Sequence, residues 1–196
     1  ARMALSASET KIELREILLK DRPQSLYDIS SKGTVPVLKV NDNHIIDESL
    51  QIMIWAISQS KLNWISVSPE DQYKLININD TDFKFWLNRY KYSERFPEES
   101  FEYYQNKCKQ ILSSYDQILD CNKYFFSNNI QLADIAVFPL IRQCEHVDSN
   151  WFKNTFPNLN RWFHNIKSSD LFLSVMNKYD VWNQKDTGII LQFHSE

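Results

Sequence analysis

Strand patterns and helix patterns occupy different parts of this 196-residue chain. In TKIELREILL, near the start, Ile12 and Leu14 alternate with charged residues, and a period of two is typical of a half-buried strand. From Lys61 onward such signals stop, and apolar residues recur every three or four positions, as on the buried face of a helix. This segregation predicts an α/β domain followed by an all-helical domain. The predicted boundaries are residues 1–59 for the α/β domain, 60–67 for a linker and 68–196 for the helical domain.

The α/β part is predicted to contain a hairpin preceded by an unusual proline. NDN (41–43) separates two short apolar runs, and a turn-forming loop of three residues between such runs predicts an antiparallel hairpin. Pro36 lies in the apolar run GTVPVL that leads into this hairpin, although proline cannot donate a hydrogen bond to a strand ladder. A helix follows, with Leu50, Met53, Ile54 and Ile57 on its predicted core face.

The helical part is predicted to begin at SPED, with Ser68 as cap and Pro69 in the first turn, and this first helix runs to about Tyr90. A second helix follows Pro97 and carries Cys108 on its apolar stripe as a packing residue. QLADIAVFPLIRQ, NLNRWFHNI and LFLSVMNKY are predicted to form three more helices.

The composition argues against several classes of function. The formal charge of −3 gives no electrostatic reason to bind nucleic acid, and the apolar runs are far shorter than the ~20 residues of a membrane-spanning helix. Phosphate-binding loops need several glycines close together, so a chain with two glycines is not expected to use a nucleotide cofactor. The scattered histidines and the absence of Cys-x-x-Cys predict no metal site. Three widely spaced cysteines favour reduced thiols and a cytoplasmic location.

Two stretches of the chain resemble the glutathione S-transferase family. SSKGTVPVLKVNDNHIIDESLQIMIWA resembles the glutathione-binding half of that family's thioredoxin-like domain, and LADIAVFPLIRQ resembles the core helix of its helical domain. The combination of Val-Pro before a hairpin, Glu-Ser after it and Leu-Ala-Asp in the helical half is specific, and the match in order covers nearly the whole chain. The resemblance implies a thioredoxin-like domain, incomplete at its N-terminus, followed by an all-α domain.

The resemblance also implies a glutathione site at Val35, Pro36, Glu48 and Ser49. In the family the proline matching Pro36 has a cis peptide bond, which turns the preceding backbone outward to pair with the cysteinyl backbone of glutathione like an added strand. Ser49, at the positive end of the next helix, can hold the γ-glutamyl carboxylate. Glu48 is placed to meet the γ-glutamyl ammonium group or to steer the loop.

Each of these residues also has a purely structural interpretation. Ser49 alone could cap its helix, and Glu48 could be a solvated acid in the first turn. Their spacing from Val35 and Pro36 favours the ligand site over that interpretation. Lys32 and Thr34 adjoin the same edge, where a contact to the ligand and a solvated loop explain them equally well.

Two acidic residues of the helical half are interpreted through the same resemblance. Gln131 stands where the family usually has a Ser or Thr cap, and glutamine is a poor capping side chain. Asp134 can still accept hydrogen bonds from backbone N–H groups, so we interpret it as structural. Asp80 lies on the helix that lines the family's substrate cleft, and both substrate contact and a buried, hydrogen-bonded acid stay open for it.

The catalytic group is expected upstream of Ala1, because the family places its thiol-activating Tyr, Ser or Cys at the first strand or the start of the first helix. RMAL resembles the segment behind the Cys-Pro site of omega-like and glutaredoxin-like members, and none of the three cysteines matches that position. Two interpretations stay open. We favour a transferase or glutathione-dependent thiol reductase in full-length form over a non-catalytic binding or scaffold protein. The resemblance further implies a homodimer and a small hydrophobic or electrophilic second substrate.

Overall fold

The computed structural model describes residues 1–193, and its contacts divide the chain into two units. Unit 1 combines Ala1–Leu62 with the segment from Asp170 onward, and unit 2 is Asn63–Ser169. The sequence pattern assigns the C-terminal segment to the helical domain instead. The structure differs because this segment contributes a strand that pairs with the first strand of unit 1.

The helices and strands follow in this order: α1 (Arg2–Ala7), β1 (Ile12–Leu14), α2 (Gln24–Ile29), β2 (Leu38–Asn41), β3 (His44–Ile46), α3 (Ser49–Ser58), α4 (Pro69–Ile78), a π-helical turn (Asn79–Phe83), α5 (Lys84–Lys91), a 3₁₀ turn (Ser93–Arg95), α6 (Phe101–Ile118), α7 (Leu132–Val147), α8 (Ser149–Thr155), α9 (Pro157–Lys167), α10 (Asp170–Ser174) and β4 (Ile189–Leu191). Two antiparallel pairs, β1 with β4 and β2 with β3, make up the sheets of the described residues.

The β2–β3 hairpin forms where the NDN turn predicts it. Leu38 pairs with Ile46, and the Asn41 side chain closes the turn by accepting the N–H of Asn43 at 2.9 Å. Helix α3 then buries one face in the core of unit 1. The buried residues of α3 are Ile52, Met53, Ala56 and Ile57.

Unit 2 is built around helices α4 to α9 and an aromatic core. Trp162 on α9 is fully buried, with ring centroids 5.1 Å from Phe125 and 5.9 Å from Phe138. Pro139 lies inside α7, as the sequence predicts. None of the helices within residues 1–193 is both long enough and apolar enough to cross a membrane.

The start of α4 differs from the predicted cap. Ser68 occupies the N-cap position, but its side chain makes no capping hydrogen bond and its backbone is left-handed, with φ of 43°. Gln72, one turn later, is fully buried and makes the local polar contacts instead. Its side-chain N–H₂ donates to the carbonyls of Trp64 (3.1 Å) and Val67 (2.8 Å), and its oxygen accepts the N–H of Ala133 (2.9 Å).

Asp134 is the polar centre of unit 2. Its carboxylate accepts the backbone N–H groups of Phe125 (2.9 Å) and Gln131 (2.8 Å) and the indole N–H of Trp162 (2.6 Å). Gln131 and Asp134 form a reciprocal capping box, so glutamine takes the place where Ser or Thr is usual. Burial raises the pKa of Asp134 to about 7, against the opposing effect of these N–H donors.

Candidate functional site

The β2–β3 hairpin holds the two candidate binding segments at its open end. Leu38 pairs with Ile46 at that end, so the segment before β2, with Val35 and Pro36, and the segment after β3, with Glu48 and Ser49, both adjoin the same end of the hairpin. Adjacent strands are about 5 Å apart, so segments that are distant in sequence become neighbours at this end.

Val35 offers a free backbone edge beside the hairpin. The Val35–Pro36 peptide bond is cis, and Val35 is 45% exposed. Within residues 1–193, no backbone partner pairs with the N–H or C=O of Val35. An extended ligand can therefore add to this edge through main-chain hydrogen bonds.

Gly33 shapes the turn that leads to Val35. Its φ is +59°, a conformation that residues with a Cβ rarely adopt, and its N–H donates to the carbonyl of Ser30 at 3.0 Å. A Cβ at this position would also lie 2.3 Å from Cε1 of Tyr27. The positive φ is what favours glycine here, because the Tyr27 ring is a partly exposed side chain that can move away from an added Cβ.

Ser49 is the first residue of α3, and Glu48 is its N-cap. The carbonyl of Glu48 accepts the N–H of Ile52 at 3.0 Å, which starts the helix. N–H groups in a first helical turn have no intrahelical partner and carry partial positive charge. The exposed Ser49 hydroxyl has no hydrogen-bond partner within the part of the chain that the structure describes. The hydroxyl and the N–H groups of the first turn are therefore both available to bind an anion.

Lys32 links the two carboxylates that precede α3. Its ammonium group donates to Asp47 Oδ1 at 3.0 Å and to Glu48 Oε1 at 2.5 Å, while the Ser30 hydroxyl donates to Asp47 Oδ2 at 2.8 Å. The hydrogen bonds to Glu48 and Asp47 raise the pKa of Lys32. Hydrogen bonds from Ser30 and Lys32 lower the pKa of Asp47. One ammonium shared by two carboxylates leaves net negative charge, so a ligand ammonium group can still be attracted here.

The sequence did not single out Asp47 or Ser30, and it left the role of Lys32 open. The available signal was the opposite charge of Lys32 and the Asp47–Glu48 pair, but contact between them requires the fold of the Gly33 turn. Thr34, the other open contact, is exposed. Lys32 is therefore the one of these two residues that the structure connects to Glu48.

A shallow groove of about 360 Å³ lies beside this site. It includes Glu48 but not Val35, Pro36 or Ser49, and its lining extends along β3 and the outer face of α3 to Ile54 and Trp55. Among the described residues, no group of three or more His, Cys, Asp and Glu side chains is arranged to hold a metal ion.

Asp80 lies in unit 2 and is exposed, so its interpretation as a buried acid is wrong. The π-helical turn that begins at Asn79 directs Asn79 into the interior and leaves Asp80 outside, where its carboxylate accepts the Asn79 side-chain N–H at 2.9 Å. Cys108 and Cys144 are buried in unit 2, and Cys121 is exposed.

Comparison with known proteins gives two matching family models. "Glutathione S-transferase, N-terminal domain" matches residues 1–64, and "Glutathione S-transferase, C-terminal domain" matches residues 78–170. The chain belongs to the glutathione S-transferase family. No curated protein sequence matches it.

Solved structures of glutathione transferases share the fold. A ternary complex of BphK, a bacterial glutathione S-transferase, has a TM-score of 0.72 at 17% identity, over 88% of this chain and 90% of the other. Glutathione S-transferase-I bound with lactoylglutathione has a TM-score of 0.71 at 17% identity, over 89% and 90%. A class Gtt2 enzyme of Vibrio parahaemolyticus has a TM-score of 0.63 at 19% identity, over 83% and 81%. The predicted fold class, a thioredoxin-like domain followed by a helical domain, is confirmed.

Proposed function

We propose that the chain binds glutathione at Val35, Pro36, Glu48 and Ser49. We further propose that it transfers glutathione to, or reduces with it, a small electrophilic or disulfide substrate. The observation that supports the proposal is that the open backbone edge of Val35 and the exposed start of α3 at Ser49 adjoin the same end of the β2–β3 hairpin. Family membership supports glutathione as the ligand that uses both features.

The chemistry of glutathione matches these groups. Its cysteinyl unit has a backbone N–H and C=O that can pair with Val35 in the manner of an added strand. Its γ-glutamyl end carries a carboxylate and an ammonium group, which require a donor and an acceptor side by side. Ser49 supplies the donors through its hydroxyl and backbone N–H, and Glu48 supplies the acceptor.

Lys32 is expected to change its hydrogen-bond partners when glutathione binds. Its ammonium group contacts Glu48 directly. When the ligand ammonium approaches Glu48, Lys32 keeps its second partner, Asp47, which the Ser30 hydroxyl holds in place. Binding therefore need not leave any of these charges without a partner.

Calorimetric titration with glutathione tests the binding site. Ser49→Ala is expected to weaken glutathione binding at least tenfold, because a hydrogen bond to a charged group contributes about 1.5–3 kcal/mol. Ser58→Ala at the far end of α3 is the matched control and is expected to keep wild-type affinity, since its hydroxyl contacts only Trp55 and Gln59 at that end. Equal affinity of all three proteins for glutathione would contradict the proposed site.

Two glutathione analogues distinguish recognition of the γ-glutamyl group from recognition of the rest of the ligand. The dipeptide Cys-Gly lacks the γ-glutamyl group and is expected to bind weakly to wild type and to lose nothing further in Ser49→Ala. S-methylglutathione keeps the γ-glutamyl group and is expected to retain the Ser49 dependence. A Ser49 effect on Cys-Gly as large as that on glutathione would place the loss outside γ-glutamyl recognition.

Activity is tested separately from binding. The thiolate is the nucleophile in glutathione transfer, so a catalytic protein must lower the pKa of bound glutathione below about 8.5. Ultraviolet absorbance of the thiolate, followed against pH with the full-length protein, measures that pKa. A lowered pKa is expected for a transferase or reductase, whereas binding with an unchanged pKa would favour the non-catalytic binding protein.

We also propose a homodimer in the cytoplasm. The groove on unit 1 is lined by the apolar side chains of Ile45, Ile54 and Trp55, which supports contact with a second copy. Three free cysteines support a reducing compartment. Light scattering during gel filtration is expected to give twice the monomer mass, and a monomer at micromolar concentration would contradict the dimer.

A further inference from the structure

The C-terminal segment 179–191 docks on β1 through main-chain hydrogen bonds. β4 pairs antiparallel with β1, with Ile12 opposite Leu191 and Leu14 opposite Ile189. Before that ladder begins, the N–H of Trp182 donates to the carbonyl of Glu16 at 2.7 Å. The segment therefore follows β1 and the residues just after it, in the manner of an added strand.

Gly188 allows the closest approach of this segment. Its N–H donates to Glu13 Oε1 at 2.9 Å. A Cβ at this position would lie 2.6 Å from the carbonyl oxygen of Leu14 and 2.8 Å from Cγ of Glu13. Because the first of these is backbone, the strand cannot give way locally. One of the two glycines of the chain thus stands where the docked segment has room for no side chain.

Trp182 anchors the middle of the segment. The Arg15 guanidinium lies 4.6 Å from the centre of the indole ring, and the indole N–H donates to the carbonyl of Asp186 at 2.9 Å. The Asp186 N–H in turn donates to the carbonyl of Asn183 at 2.9 Å, which closes a compact loop before β4. The segment is therefore shaped for this position.

The attachment nevertheless buries little apolar surface. Ile189 and Ile190 are 43% and 57% exposed, and the ladder spans three residue pairs. Segments held by few buried apolar contacts open with a lower free energy than the whole fold. The segment thus has specific main-chain contacts with β1 but buries little apolar surface there. Such an attachment is suited to reversible release of the segment.

We propose that the edge of β1 is an acceptor site for an extended peptide strand, and that segment 179–191 is a strap that occupies this site reversibly. The strap guards the edge, because an exposed strand edge pairs readily with other extended chains. It also connects to α1 through Arg2, which donates to the Glu16 carboxylate at 2.5 Å and lies 5.7 Å from the centre of the Tyr179 ring in the strap. This inference does not depend on glutathione binding.

A labelled peptide with the sequence of residues 178–193 tests the strap in the intact chain. In Gly188→Val the added side chain would collide with the Leu14 carbonyl, which releases the strap and opens the edge to the peptide. Thr187→Val is the matched control, because Thr187 is exposed and its change places the same valine side chain one position away. Fluorescence anisotropy is expected to show at least tenfold tighter peptide binding to Gly188→Val than to wild type or Thr187→Val.

Two outcomes would overturn the proposal. Equal affinity of the peptide for all three proteins would mean that the strap does not guard the edge, and no binding to Gly188→Val would mean that the edge accepts no strand. If Gly188→Val fails to fold, Trp182→Ala replaces it, because loss of the ring over Arg15 loosens the strap without a backbone collision. Wild-type peptide affinity in a folded Trp182→Ala protein, together with unchanged amide protection of β1, would likewise refute it.

Discussion

Replacing Asp134 tests the polar centre that organises unit 2. One carboxylate oxygen accepts the Phe125 N–H and the Trp162 indole N–H, and the other accepts the Gln131 N–H. Asp134→Ala removes both acceptor oxygens and leaves three buried donors without partners. Asp134→Asn is expected to keep the two bonds at Oδ1, with its amide nitrogen facing the Gln131 N–H.

The two substitutions should therefore differ in cost. Each buried donor without a partner costs about 1–3 kcal/mol, so Asp134→Asn is expected to lower the free energy of unfolding by about 1–3 kcal/mol. Asp134→Ala leaves three such donors and is expected to cost about 3–9 kcal/mol, a large part of the ~5–15 kcal/mol typical of a whole domain.

Urea unfolding followed by tryptophan fluorescence measures both costs, because Trp162 reports directly on this site. Asp82→Asn is the matched control, since Asp82 is exposed, and its free energy of unfolding should stay within about 0.5 kcal/mol of wild type. Equal losses for Asp134→Asn and Asp134→Ala would refute the assignment of two donors to one oxygen.

The same carboxyl group should make stability depend on pH. Its folded-state pKa of about 7 lies above the ordinary value of 3.8, because burial disfavours the charge. Its contribution to stability is therefore complete below about pH 4 and is lost as pH rises through about 7. Wild type is expected to lose stability between about pH 4 and pH 7 more steeply than Asp134→Asn. A parallel pH dependence in the two proteins would contradict the raised pKa.

Three further substitutions test the backbone conformation at Gly33, the buried hydrogen bonds of Gln72 and the charge of Lys32. Gly33→Ala is expected to cost about 1–2 kcal/mol in thermal unfolding because of its positive φ, and adding Tyr27→Ala should not restore stability, since the cost lies in the backbone. Gln72→Leu leaves the Val67 carbonyl and the Ala133 N–H without their partners and should cost about 2–4 kcal/mol in urea unfolding, whereas exposed Gln110→Leu should be near neutral. Lys32→Met should leave the melting temperature near that of wild type but weaken glutathione binding several-fold in calorimetry, because Asp47 and Glu48 then carry uncompensated negative charge close to the γ-glutamyl carboxylate proposed to bind at Ser49.

Local patterns predicted the elements around the candidate site. The NDN turn predicts the hairpin, and the apolar spacing after Ser49 predicts α3, because both depend on residues close together in sequence. The prediction of which residues of α3 face the core was less accurate. Leu50 and Ile54 were expected inside but are only partly buried, because the face toward the core is set by what packs against the helix.

Features that depend on distant residues were missed. β4 has three apolar residues and no alternation, so its pairing with β1, more than 170 residues away in sequence, could not be predicted from the local pattern. The left-handed backbone at Ser68 lies between Gln72 and the carbonyls of Trp64 and Val67 that the buried Gln72 side chain binds, and these contacts are not apparent from the local sequence pattern. In the same way, the contact of Lys32 with Glu48 requires the fold of the loop between them.

Chemical-shift mapping of the backbone amides during titration with glutathione tests the central claim most directly. Binding at the open end of the hairpin predicts the largest shifts at Val35 and Ser49, with smaller shifts at Lys32. The predicted pattern should disappear in Ser49→Ala at the same glutathione concentration. Shifts concentrated instead at Ile54 and Trp55, or no saturable shifts at Val35 and Ser49, would contradict a glutathione site at these residues.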